Sequence, residues 1–146
     1  GRPFFVKLQN PNKRKLRLTS KIFKSLKINR LKIVSDSPKK PLKFISSIKM
    51  RISAESDIKI QNLKKLKDLI KSPVVVYDVS GKRSEKKISS VKYKKTSQNE
   101  FSLFLKADGG LPIKRFVNGD NVSPGVSSII DNSCKCLEFD FLDIRV

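Results

Sequence analysis

The segment that most constrains the fold runs from Leu42 to Ile60. Phe44, Ser46, Ile48, Met50, Ile52 and Ala54 hold its even positions, while Lys43, Lys49 and Arg51 hold odd ones. Successive side chains of a strand point to opposite faces. The alternation therefore predicts a long strand with an apolar face turned inward and a basic stripe turned outward. A strand of this kind needs partners on its edges and a layer over its apolar face.

The rest of the chain supplies both. Val74–Tyr77 reads as a buried strand, and Ser80-Gly81 turns the chain into the hydrophilic tip Lys82–Lys87. Ile88–Lys95 and Phe101–Lys106 read as a strand pair, stopped at Asp108-Gly109-Gly110, and Cys136–Ile144 as a final apolar strand. Between Gln61 and Lys71, Leu63, Leu66, Leu69 and Ile70 recur at helical spacing, and Pro73 closes the run. Short helices are expected over Leu111–Asn118 and after Ser123-Pro124, with Val126, Ile129 and Ile130 inward. Upstream, Phe4–Leu8 and Leu31–Val34 read as strands, with a short helix carrying Ile22, Phe23 and Leu26 between them. Strands outnumber helices and mostly follow one another. The expected class is α+β: a single domain over residues 1–146, with a mixed, largely antiparallel sheet and flanking helices.

Charge narrows the partner. The chain has 33 Lys+Arg against 13 Asp+Glu, a formal charge of +20. A polyanion is the natural counterpart of such an excess. No run approaches the ~20 apolar residues of a spanning helix, and no basic helix carries a broad apolar face, so a membrane partner is not expected. The candidate RNA-binding residues lie in clusters of one sign: Lys13, Arg14, Lys15 and Arg17; Lys39, Lys40 and Lys43; Lys49 and Arg51; Lys82, Arg83, Lys86 and Lys87; Lys92, Lys94 and Lys95; Lys114 and Arg115. With no Trp and two Tyr, contact with folded RNA through shape and phosphates is favoured over stacking of single strands.

Catalytic and metal chemistries find little support. The absence of histidine removes the commonest general base and the commonest nitrogen ligand. Cys134 and Cys136 supply at most two of the four ligands of a structural zinc, so no metal, cofactor or small-molecule substrate is expected. One intervening residue would strain a bridge between them, and the default location is the cytoplasm. Asp140 and Asp143 are an odd number of residues apart, so alternation places them on opposite faces as solvated edge charges.

Two stretches carry a resemblance. Gly1-Arg2-Pro3-Phe4-Phe5-Val6, followed by Asn10–Lys15, and Gly109–Lys114 with Gly119-Asp120, Ser123-Pro124 and Leu137–Ile144, resemble the archaeal-type tRNA pseudouridine synthases that act on the T-arm. The resemblance implies a pseudouridine-synthase-like sheet with a central RNA cleft. It also implies a catalytic aspartate in the loop immediately before the Gly-Arg-Pro-Phe stretch, upstream of Gly1. Where that family has a base-packing tyrosine in a Lys-x-Tyr-Arg strand, this chain has Met50; where its Gly-Leu-Tyr-Ile-Lys motif has a tyrosine, this chain has Pro112. Lys114 stays at the motif's basic position, placed to pair with a carboxylate or a phosphate.

These departures, with the lysines retained, lead to the expectation of a non-catalytic relative that binds RNA. A ribosomal or ribosome-associated protein is favoured, contacting rRNA ahead of tRNA and lying beside ribosomal proteins. The alternative is the C-terminal catalytic-domain portion of an active tRNA pseudouridine synthase, and a third reading is a protein–protein adaptor using the sheet surface.

Overall fold

The structure, a computed structural model, describes residues 42–146 together with Val6, Lys7, Gln9, Asn10, Asn12 and Ile33. The chain divides into two compact units, the first of which holds Lys43–Val146. All elements below belong to the first. The strands expected over Phe4–Leu8 and Leu31–Val34, and the helix around Phe23, fall largely outside the described residues.

The alternating segment forms strand β1, Ile45–Ala54, with even positions buried and odd positions half-buried or exposed. It is shorter than the expected Leu42–Ile60. Its end is set by Asn132, whose side-chain oxygen accepts from the Ser56 amide at 3.1 Å and whose side-chain nitrogen donates to the Ser56 carbonyl at 2.9 Å. Once a side chain satisfies both backbone groups, the ladder has nothing left to pair with.

Strands β2 (Val74–Tyr77), β3 (Arg83–Lys86), β4 (Ile88–Lys95), β5 (Glu100–Asp108), β6 (Val122–Ser123) and β7 (Cys134–Arg145) complete two sheets. The larger has the order β4-β5-β1-β7 and the smaller β3-β2-β6. Every ladder among the described residues is antiparallel. Three short helices, α1 (Ile60–Lys64), α2 (Ile113–Asn118) and α3 (Val126–Ile130), share one core with the inner face of the larger sheet and with the smaller sheet. Ile48, Met50 and Ile52 of β1 meet Phe101, Leu103 and Leu105 of β5 in that core, with Leu63, Leu66, Phe116, Val126 and Ile130 from the covering layer. Each of these aliphatic or aromatic side chains contributes about 1.5–3 kcal/mol when fully buried, so the covered face of β1 is a large part of the core that the helices close over.

The run expected as one helix over Gln61–Lys71 differs. It is α-helical only through Lys64 and continues as a 3₁₀ helix over Lys65–Ile70. The leucine spacing explains why: Leu63, Leu66 and Leu69 are three residues apart, and three residues make one turn of a 3₁₀ helix, which stacks them in a row on the core. All three are buried, whereas Ile70, expected inward, is 45% exposed. At the other end of the core, α2 closes on Gly119, whose left-handed φ of 86° lets its amide bond the Arg115 carbonyl at 2.8 Å. A Cβ on Gly125 would lie 2.7 Å from the Gly119 Cα, so the junction between α2 and α3 requires glycine there.

Leu66→Ala is expected to cost about 2–5 kcal/mol, since it empties a site with no exposure. Ile70→Ala should stay within about 0.5 kcal/mol of the parent. Urea unfolding of both variants checks the 3₁₀ register, because a continuous α-helix would bury both residues.

Candidate nucleic-acid interface

The outer face of the larger sheet collects the odd residues of β1 and their cross-strand neighbours. Three rows run across it in strand order β4, β5, β1, β7: Lys94, Ser102, Arg51, Glu138; then Lys92, Phe104, Lys49, Asp140; then Ser90, Lys106, Ser47, Asp143. Neighbouring strands lie about 4.8 Å apart and like-facing residues on one strand about 6.6 Å apart. Lys49, Arg51, Lys92, Lys94 and Lys106 therefore stand within roughly one Debye length of their neighbours at 0.1 M salt, and their potentials add. Two separate sequence clusters, Lys49-Arg51 and Lys92-Lys94, are brought together here. Lys106 belongs with them, although it lies outside every run of lysine in the sequence. Its period-two relation to Phe104 and Ser102 was the signal that could have found it.

The face is divided by sign. Cations hold β4, β5 and β1, while Glu138, Asp140 and Asp143 line β7. This corrects the expectation that Asp140 and Asp143 lie on opposite faces. The register of β1 against β7 shifts between Ser47 and Ile48, so Leu142 is an extra residue and Asp143 returns to the side of Asp140. A second shift between Arg51 and Ile52 makes Leu137 an extra residue as well, and both leucines are exposed. Arg51 meets Glu138 at 3.4 Å, an exposed pair that binds little by itself. The Lys49 ammonium lies 5.8 Å from the centre of the Phe104 ring.

Other expected contacts are placed elsewhere. Lys95 projects from the inner side of β4 and donates to the Ile58 carbonyl at 2.7 Å. Lys86 is half-buried and donates to the Gly109 carbonyl at 2.8 Å. Arg83 pairs with Glu85, which raises its pKa, and Lys82 and Lys87 are exposed near the same hairpin. Arg115 is a structural cation: its guanidinium donates to the carbonyls of Asp120 at 3.0 Å and of Tyr77, tying the end of α2 to the end of β2. Lys43 is exposed just before β1. Lys13, Arg14, Lys15, Arg17, Lys39 and Lys40 lie outside the described residues. A separate exposed set, Lys59, Lys64, Lys65 and Lys67, flanks the leucines of α1 and the 3₁₀ helix on the side away from the core.

Met50 and Pro112 do local structural work. Met50 has no exposure and sits in the core face of β1, paired with Leu103 and Phe139. Its side chain answers to packing with helices and strands and faces away from the basic surface. Pro112 precedes α2 with φ −77°, and its carbonyl accepts the first helical bond, from the Phe116 amide at 2.8 Å. Lys114, on the first turn of α2, is exposed.

Cys134 and Cys136 are buried free thiols on the inner side of β7. Burial pushes Cys134 up to about 11 from 9.0, and raises Cys136 against the opposing pull of Lys114. No cluster of metal-ligating side chains occurs among the described residues, and none of their helices is long and apolar enough to cross a membrane.

Two outcomes follow. Neutralising Lys49, Lys92 and Lys94 together should flatten the salt dependence of RNA binding by about 2–3 logarithmic units of slope, at 0.7–0.9 per phosphate contact. Lys95→Met should leave that slope unchanged and lower stability, as titrations over a range of salt and denaturant will show. For Cys134 the folded state holds its proton more tightly than the unfolded state. Its contribution to stability is complete below pH 9 and is lost as pH rises through about 11. Cys134→Ala should remove that part of the alkaline decline in unfolding midpoints.

Comparison with known proteins agrees with this architecture. The family model described as "Pus10, C-terminal" matches residues 1–145. The tRNA pseudouridine synthase Pus10 of Nitrosopumilus maritimus is 62% identical over 146 residues, covering 100% of this chain and 38% of the relative. That of Cenarchaeum symbiosum is 34% identical over 147 residues, covering 100% and 36%. The chain thus spans little more than a third of the length of these relatives. Among solved structures, a chain of a Cbf5-Nop10-Gar1 complex shares the fold with a TM-score of 0.52 at 7% identity, over 65% of this chain and 29% of that one. With a family model matched from end to end and a close relative aligned over every residue, the chain belongs to the Pus10 C-terminal family.

Proposed function

We propose that this chain is the C-terminal portion of an active tRNA pseudouridine synthase, and that its own part is to hold the tRNA backbone against the basic half of the sheet's outer face. The observation that carries the binding role is the convergence of Lys49, Arg51, Lys92, Lys94 and Lys106 on one surface, while the acidic β7 edge repels phosphates. Cations on β4, β5 and β1 attract a backbone, and the carboxylates of Glu138, Asp140 and Asp143 limit how far across the sheet it lies. Charge of this arrangement sets orientation and speeds encounter more than it sets sequence preference.

The catalytic assignment is supported by relatives named as tRNA pseudouridine synthases. The reasons for expecting a silent relative have weakened: residue 50 faces the core, and Pro112 opens a helix. The ribosomal role rests on the charge and the scarcity of aromatics, together with Met50 and Pro112, and the charge suits tRNA equally well. In this reading the nucleophilic aspartate comes from the segment before Gly1, and Lys114 neutralises that carboxylate or an adjoining phosphate from the start of α2. Arg115 keeps α2 in place beneath it. The buried thiols fit a reducing, cytoplasmic setting.

The test is pseudouridine formation in tRNA by the complete protein. Product is expected, and a folded protein that binds tRNA without forming product would restore the non-catalytic reading. Lys114→Met should lower the rate by about a hundredfold while tRNA affinity changes little, the pattern of a charge acting at the reacting centre. Equal loss of rate and affinity would instead make Lys114 a backbone contact.

A further inference from the structure

Phe104 is out of character with its surroundings. The residues facing outward from β4, β5 and β1 in the middle of the sheet are serines and cations, and Phe104 stands among them, half-buried, between Lys92 and Lys49 in one cross-strand row. Packing does not account for it, since the core side of β5 is filled by Phe101, Leu103, Leu105 and Ala107. Phe104 lines a depression of about 220 Å³ together with Ser47, Ser90, Lys92, Lys106 and Leu142 on the outer face, and with Ile48 and Leu105 of the core strands. Leu142 reaches this face only because the bulge in β7 displaces it from the ladder.

We propose that this depression receives one unpaired nucleobase of a bound RNA, stacked on Phe104 and walled by Leu142, with the Lys49 ammonium swung from over the ring to a flanking phosphate and other phosphates on Lys92 and Lys106. An aromatic ring offers stacking to any base, while lysines around it supply the charge that draws the backbone in. Ser47 and Ser90 present hydroxyls to the base edge, each able to donate or accept. The ammonium groups oppose a basic peptide in the same place, and among the described residues Lys49, Lys92 and Lys106 have no carboxylate partner. The sheet face is then more than an electrostatic bed. It distinguishes RNA with an exposed base from continuous duplex, whose bases are stacked away.

This inference rests on the RNA-binding reading, and the experiment separates the two. The complete protein is titrated with a hairpin RNA bearing an unpaired loop and with a fully paired duplex of the same stem. Phe104→Leu should weaken hairpin binding by about tenfold or more and duplex binding by less than about twofold, with Phe104→Trp retaining both. Lys92→Ala/Lys106→Ala should weaken both RNAs. Hairpin RNA carrying 5-bromouridine in its loop should crosslink to Phe104 on irradiation. If Phe104→Leu binds the hairpin like the parent while the double lysine variant weakens both RNAs, stacking is overturned and backbone binding stands. If the lysine variant is also unchanged, the RNA reading of this face falls with it.

Discussion

Everything in this unit depends on β1 being held on both sides, by β5 and by β7, with its even residues under the helices. The two antiparallel ladders satisfy the backbone of β1 along nearly its whole length. Ile48, Met50 and Ile52 then have one place to go, and their burial anchors the covering layer. A slip of one residue would carry lysine and arginine into the core and methionine and isoleucine into water. Register is therefore fixed by the same alternation that makes the outer face basic. Core formation and the construction of the basic outer face are one event.

That coupling gives Met50 its meaning. A residue at the centre of the inner face is chosen for fit, and methionine fills irregular gaps readily. Read from a motif alone, its lack of a hydroxyl suggests a lost activity. Read from its position, it is part of what keeps Lys49 and Arg51 on the other side. Arg115 shows the converse. Within a basic motif it looks like an RNA contact, yet its guanidinium is engaged with backbone carbonyls and fixes α2.

The division of the outer face into basic and acidic halves arises from β7. Its two extra residues let the strand keep its apolar side inward while returning Glu138, Asp140 and Asp143 to one surface. Each bulge also ejects a leucine, and one of these borders the aromatic depression. A local irregularity in one edge strand thus shapes both the charge pattern and a recess on that face that Phe104 helps to line.

The sequence by itself determined the strands β1, β2, β4, β5 and β7, which side of β1 is buried, the largely antiparallel α+β class and the strong basic charge, but not the short strands β3 and β6. These follow from period-two patterning and from net charge, both local properties. The 3₁₀ turn was written in the leucine spacing but is ambiguous without the core it packs against. Only tertiary structure decided that Lys49, Arg51, Lys92, Lys94 and Lys106 share a surface, that Lys95, Lys86 and Arg115 serve the scaffold, and that Asp140 and Asp143 face the same way. The physical reason is that cross-strand register and bulges set which distant residues become neighbours, and neither leaves a periodic mark along the chain.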